Sequence, residues 1–178
     1  MNILSVTDII KLTQRPGNIA ECGVWTGDVS EVLAKIKPDY VNLHLFDTFE
    51  GLPEFSPNDK PWSYGDRLAQ AGDFNCPIET VQERLKTYNN ILYHKGNILE
   101  TAKHVEQCLF NYVHIDLDLY GGTRFCLGFF YDRLVIGGLL SIHDYHTLGG
   151  VMTAVNEFCA ERNIKYVDSI DTGVLIYK

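Results

Sequence analysis

The sequence predicts an α/β domain built on a mainly parallel β-sheet. Two observations carry most of that reading. The runs Asn111-Tyr-Val-His-Ile-Asp-Leu-Asp-Leu-Tyr120 and Leu139-Leu-Ser-Ile-His-Asp-Tyr145 are short, rich in Val, Ile and Leu, and end abruptly in acids or imidazole. Apolar runs of that length bounded by polar residues read as strands buried on both faces. A third observation is the unit near the start, where Asn18–Cys22 leads into Gly23-Val-Trp-Thr-Gly27 and then a helical pattern to Ile36. In open α/β sheets, ligands bind beyond the carboxyl ends of the strands. Asp116, Asp118, His143 and Asp144 therefore belong on the rim where chemistry is expected, and Asp116, His143 and Asp144 can converge on one metal ion. The plainer alternative is that these are polar residues where the chain leaves the core.

The bulk numbers fit one domain over residues 1–178, with a helix in 1–17 and a substrate lid in 48–77. At 46% hydrophobic and 21% charged residues the composition is globular. A net charge of −8 argues against a nucleic-acid backbone or an anionic membrane surface as partner. It leaves room for a cation, a neutral sugar or a positively charged cofactor. The five cysteines (Cys22, Cys76, Cys108, Cys126 and Cys159) are scattered and show no CxxC pairing. That fits reduced thiols in a cytoplasmic protein better than a disulfide framework or a structural zinc site. Asp8, Lys11 and Arg15 interrupt any signal-peptide core, and no run reaches the length of a membrane span.

Taken in order, Ser5 and Thr7 can cap a first helix with Val6, Ile9, Ile10 and Leu12 on its apolar face, stopped by Pro16-Gly17. After the strand Asn18–Cys22, the glycine-bearing loop and a helix capped by Asp28 or Ser30 form a cradle for a nucleotide-like cofactor. Glycines there allow close backbone approach, and a helix start offers free N–H groups. The loop reads G-x-x-x-G rather than G-x-G-x-x-G, and Glu21 stands just before it. A carboxylate there would repel a pyrophosphate but suits an ammonium or a sulfonium-bearing amino acid, which favours S-adenosylmethionine over a nicotinamide dinucleotide. Tyr40–Phe46 is the second strand. Asp47 at its end either accepts bonds from ribose hydroxyls or caps the next turn. Residues 48–77 are long, irregular and studded with aromatics, as expected of a lid. A helix over Ile78–Tyr88 and a strand over Asn90–His94 follow. Asn97 either hydrogen-bonds the cofactor's adenine edge or caps the helix from Ile98 to about Gln107. The fourth strand is Leu109–Ile115, a helix runs from Gly121-Gly122 to about Leu134, and Gly137-Gly138 turns the chain into the fifth strand. A helix over Gly149–Arg162 precedes a terminal strand pair, Lys165–Ile170 and Gly173–Tyr177, with Asp171-Thr172 as a hairpin signal.

Several of these stretches carry a family likeness. Glu21-Cys-Gly-Val-Trp-Thr-Gly27, Phe46-Asp-Thr-Phe-Glu-Gly-Leu-Pro53, His114-Ile-Asp-Leu-Asp-Leu-Tyr-Gly-Gly-Thr123, Gly137-Gly138, His143-Asp-Tyr145 and Ala154-Val-Asn-Glu-Phe158 occur in this order. The chain resembles the macrocin-type sugar O-methyltransferases, which use S-adenosylmethionine and a divalent metal. The resemblance implies a class I methyltransferase fold: a Rossmann-like three-layer sandwich whose seven-stranded, mainly parallel sheet ends in an antiparallel hairpin. It implies cofactor contacts from Glu21, Gly23, Val24, Trp25, Gly27, Ser30, Asp47, Thr48, Asn97 and Asp116, and a metal held by Asp116, His143 and Asp144. The family has an aspartate where this chain has His143. Mg²⁺ prefers oxygen ligands and imidazole suits softer metals, so Mn²⁺, Fe²⁺ or Zn²⁺ join Mg²⁺ as candidates.

The chemistry so implied is attack of a hydroxyl oxygen on the cofactor's methyl group, with a metal lowering the hydroxyl's pKa. The acceptor would be a small-molecule or glycan hydroxyl, and self-association into a homo-oligomer is left open. Asp116 and Asp144 are expected as ligands and His143 as a ligand or the proton acceptor. His146 is a second candidate base, or else a surface histidine. Tyr120 and Tyr145 line the acceptor pocket or are buried with satisfied hydroxyls. Two rival readings remain: a protein that binds S-adenosylmethionine without catalysis, and a nicotinamide-dependent oxidoreductase.

Overall fold

The structure is a computed structural model and describes residues 15–169 and 173–178. The expected first helix with Ser5 and Thr7 and the turn at Asp171-Thr172 lie outside the described residues. The elements are β1 (Asn18–Cys22), α1 (Asp28–Ile36), β2 (Leu43–Asp47), the short β3 (Ser63–Tyr64) and β4 (Arg67–Leu68), α2 (Ile78–Leu85) and β5 (Ile91–Lys95). They continue with α3 (Ile98–Thr101), β6 (Phe110–Ile115), α4 (Tyr120–Arg133), β7 (Leu134–Ile142), α5 (Gly149–Arg162), β8 (Val167–Asp168) and β9 (Val174–Tyr177).

Among the described residues the main sheet has seven strands in the order β5-β2-β1-β6-β7-β9-β8. The first five are parallel to one another. β9 runs antiparallel to β7, and β8 antiparallel to β9. This is the expected mainly parallel sheet with an antiparallel end. β1 is the middle one of the five parallel strands, so the tips of β2, β1, β6 and β7 lie side by side where the order reverses.

Strand alternation builds the two faces. Ala20, Phe46, Val113 and Leu140 pack with Ile98, Leu127, Phe130, Val151 and Phe158 from α3, α4 and α5. Ile19, Leu43, Leu45 and Leu139 face the other way and pack with Leu33 of α1 and Val81 and Leu85 of α2. The three layers follow from period-2 strands feeding period-3.6 helices. Burying one ring such as Phe130, which is fully covered, stabilises the fold by roughly 1.5–3 kcal/mol.

Some boundaries differ from the sequence reading. Gly137-Gly138 does not turn into the fifth strand; it lies inside β7 as a bulge. Phe110 pairs with Leu134 while Tyr112 pairs with Leu139, and Gly137 has φ 76°. A Gly-Gly pair serves a strand irregularity as well as a turn, because both need a backbone that side chains resist. The helix from Ile98 is α-helical only to Thr101 and tightens into a 3₁₀ turn over Ala102–Val105. α5 ends as helices commonly do, with Asn163 in the left-handed region at φ 52°.

Candidate active site

The tips of β1, β2, β6 and β7 are stitched together by backbone bonds. Gly23 N–H donates to Phe46 O at 2.9 Å, Asp116 N–H to Cys22 O at 2.8 Å, and His143 N–H to Ile115 O at 2.9 Å. Gly23, at φ 89°, lies so close to β6 that a Cβ there would overlap the Asp116 carbonyl oxygen. The glycine thus serves strand-tip packing first. It brings the loop after β1 and the acid after β6 together.

Asp47 organises that loop. Its Oδ2 accepts the N–H groups of Val24 and Trp25 at 2.7 and 3.0 Å. Its Oδ1 accepts the Phe49 N–H at 2.7 Å, so the turn-capping role is also real. Trp25 is held at φ 46°, a conformation that glycine takes easily and an indole rarely does. The next glycine, Gly27 at φ 80°, is the N-cap of α1, and neither Asp28 nor Ser30 caps it with a side chain. Ser30 instead donates its hydroxyl to Glu21 Oε2 beneath the loop. Glu21 is 2% exposed. Burial pushes its carboxyl well above the usual range, against the Ser30 hydrogen bond and helped by the charges of Asp116, Asp47 and Asp28.

These parts surround a cavity of about 340 Å³. Of the residues singled out from the sequence, Glu21, Gly23, Val24, Trp25, Asp47, Thr48, Asp116, His143 and Asp144 line it. Gly27 and Ser30 stand behind the wall rather than in it. Asn97 lines a second cavity of about 190 Å³, which shares Asp47, Thr48, Pro53 and Leu117 with the first. Its side chain caps α3 by accepting the Leu99 N–H at 3.0 Å. The segment over residues 48–77 walls the first cavity through Thr48, Gly51, Leu52, Pro53 and Phe74.

At the β6 and β7 tips the expected convergence occurs. Ligand atoms of Asp116, His143 and Asp144 lie within 4.8 Å of one another. His143 Nδ1 stands 3.2 Å from Asp116 Oδ1 and 3.0 Å from Asp144 Oδ2. Hydrogen bonds to those two carboxylates push the His143 imidazole up to about 10, against its partial burial. Burial works to raise Asp116, but its contacts with His114 and His143 win and hold it well below the usual carboxylate range. Asp118, left-handed at φ 62°, lines the same cavity, and burial together with the charges of Asp116 and Asp144 pushes it strongly upward. Asp118 is a rim residue by sequence, with no role evident from its position alone. The I-D-x-D spacing is the available signal, because both acids leave one strand tip.

Other candidates fall outside this cluster. His146 Nε2 pairs with Asp168 Oδ1 at 3.3 Å and does not line the cavity. Tyr120 donates its hydroxyl to Glu157 at 2.7 Å, and the Tyr145 hydroxyl meets Asn156 and Tyr166 at 2.9 and 2.7 Å. Both tyrosines are therefore satisfied away from the cavity. Among the described residues no helix is long and apolar enough to cross a membrane.

The strand order, the acid-tipped second strand and the glycine-bearing first loop define a class I methyltransferase. Solved structures agree on the fold. The O-methyltransferase NovP superimposes with a TM-score of 0.79 at 18% identity, over 97% of this chain and 78% of that one. The calicheamicin methyltransferase CalS11 gives 0.79 at 19%, over 98% and 77%. An O-methyltransferase from Bacillus cereus in complex with SAH gives 0.63 at 11%, over 99% and 83%. The sequence matches the macrocin O-methyltransferase (TylF) family model over residues 1–178, and the chain belongs to that family. It is an S-adenosylmethionine-dependent O-methyltransferase. The oxidoreductase reading and the non-catalytic one are set aside. No curated protein matches the sequence.

Proposed function

We propose that the protein transfers the methyl group of S-adenosylmethionine to a hydroxyl of a sugar, on a glycan or a glycosylated small molecule, with a divalent cation at Asp116, His143 and Asp144. One observation carries this reading: the three-residue cluster shares a single cavity with the loop after β1. NovP and CalS11 are methyltransferases by their names, and a second CalS11 structure is described as a TDP-rhamnose 3'-O-methyltransferase. These names support a sugar acceptor.

The residues present fit a cation. Two carboxylates and one imidazole converge, with His143 Nδ1 3.2 Å from Asp116 Oδ1 and 3.0 Å from Asp144 Oδ2. Such an O, N, O donor set suits Mn²⁺, Fe²⁺ or Zn²⁺ at least as well as Mg²⁺. A bound divalent ion there supplies Lewis acidity and orientation to an acceptor hydroxyl.

The rest is done by this chain. The loop Gly23–Gly27, fixed by Asp47, shapes the donor's seat. Glu21 beneath it offers a buried carboxyl to the donor's ammonium or sulfonium, because an incoming positive charge favours the ionised form that burial now opposes. Thr48, Asp47 and the neighbouring second cavity with Asn97 take the nucleoside end. Residues 48–77 exclude water from one side. His146 is turned to Asp168 and does not line the cavity, so it is not the proton acceptor.

The test is transfer of labelled methyl from S-adenosylmethionine to TDP-rhamnose and a panel of neutral rhamnosides and amino-sugar glycosides, with EDTA or added Mn²⁺. Transfer to a sugar that EDTA abolishes and Mn²⁺ restores is the expected result. Transfer unaffected by EDTA removes the metal from the proposal. Transfer to non-sugar hydroxyls alone removes the sugar.

A further inference from the structure

One buried imidazole is not used by the chemistry above. His114 is the fifth residue of β6, 5% exposed, between Glu21 of β1 and Ser141 of β7 in the sheet register. Side chains two positions apart on an extended chain leave on the same side. His114 is thus on the side of Asp116, and its Nε2 stands 3.8 Å from Asp116 Oδ2. Its Nδ1 is buried and has no hydrogen-bond partner among the described residues.

That asymmetry assigns the tautomer. A proton on Nδ1 would bury an unpaired N–H and set the Nε2 lone pair against a carboxylate. A proton on Nε2 points a donor at Asp116 and leaves only a lone pair unmatched, which is the smaller penalty. Asp116 then meets an imidazole on two sides: Oδ1 faces His143 Nδ1 at 3.2 Å, and Oδ2 faces His114 Nε2 at the longer, ion-pair distance of 3.8 Å. Turning the carboxylate plane would lose both contacts.

We infer that His114 is a positioning residue for the cation site: it fixes the Asp116 carboxylate so that Oδ1 is presented to the ion. The inference rests on the cation reading above. Neither the cavity lining nor the three-residue cluster includes this buried strand histidine. Outer partners of this kind typically change metal affinity by ~10–100-fold when lost.

Two amide substitutions separate positioning from mere filling. The side-chain amide nitrogen introduced by His114→Gln reaches the place of Nε2, whereas the one introduced by His114→Asn reaches only the place of Nδ1. Both replacements are polar and smaller than the ring, and thermal unfolding reports any common loss of stability. Mn²⁺ alone is titrated calorimetrically into the wild type and each variant. The expected result is affinity within about threefold of wild type for His114→Gln and a drop of about tenfold or more for His114→Asn. Equal affinities in the two variants, whether both strong or both weak, overturn the inference. A wild type that binds no Mn²⁺ overturns the cation reading itself, and the inference with it.

Discussion

Asp59 accepts the backbone N–H of Tyr120 at 2.6 Å, a contact spanning 61 positions of the chain. Tyr120 opens α4, a helix whose own N-cap residue, Leu119, offers no side-chain cap. A residue of the 48–77 segment therefore supplies the cap. The other oxygen of Asp59 binds the N–H and hydroxyl of Ser56 at 2.9 and 2.6 Å. At the start of α5, a Cβ on Gly150 would come within 2.6 Å of Asp59 Oδ1. The carboxylate lies at two helix starts at once, where partial positive charge favours it.

Asp59→Ala should consequently destabilise the protein by about 1 kcal/mol, within the range of lost helix caps, and should speed protease cleavage in residues 48–77. Urea unfolding and limited proteolysis measure these. Unchanged stability together with unchanged cleavage would mean the contact does not hold the segment down.

Gly23→Ala should be far more damaging than an ordinary surface glycine change. It places a methyl into the Asp116 carbonyl and forces φ 89° on a residue with a side chain. A loss of about 3 kcal/mol or more is expected from the combined clash and strain. The loss would be read as a lowered unfolding midpoint together with weaker binding of S-adenosylhomocysteine. A variant with wild-type stability would show that the strand tips are not packed as described.

Acid sensitivity should come in part from a histidine pair of which His44 is buried and His94 partly so. His44 Nδ1 lies 3.0 Å from His94 Nε2, and burial, helped by neighbouring histidines, pushes both down to about 4. The unfolded value is near 6.5, so the unfolded chain takes up these protons first as pH falls. The stability is present in full above pH 6.5 and is lost as pH drops towards 4. Between pH 7 and pH 5 the buried His44 removes about 1–2 kcal/mol, and the less buried His94 contributes less. His44→Leu should flatten that stretch of the stability–pH curve, followed by chemical unfolding at several pH values. A curve parallel to wild type would contradict the shift.

The choice of cation should follow residue 143. His143→Asp replaces the imidazole by a third carboxylate between Asp116 and Asp144, making an all-oxygen set. Affinity for Mg²⁺ relative to Zn²⁺ should rise by about tenfold or more. Competition titrations measure this, and an unchanged ratio would indicate that residue 143 is not a ligand.

Much of this site is legible in the chain without its fold, and particular residues explain why. Asp116, His143 and Asp144 end apolar runs abruptly, so strand tips and their acids are visible together. Asp47 is visible for the same reason, although its two amide bonds to Val24 and Trp25 are not. Ser30 reads as a helix cap, because a buried hydroxyl bonded to Glu21 from the preceding strand leaves no local pattern. His146 sits beside the cluster in sequence, yet its partner Asp168 lies on a strand far along the chain. Asp59 is invisible for the same reason, as its partner is a backbone group of α4. Gly137-Gly138 gives a signal that two backbone devices share.

A crystal structure with S-adenosylhomocysteine and Mn²⁺, recorded with anomalous scattering, tests the shared donor–cation site. The expected map places the nucleoside product against the loop Gly23–Gly27 and Asp47, and an anomalous peak among Asp116, His143 and Asp144 in the same cavity. A map with the product bound there and no peak at those three residues, or with the Mn²⁺ peak elsewhere, would contradict the proposed chemistry.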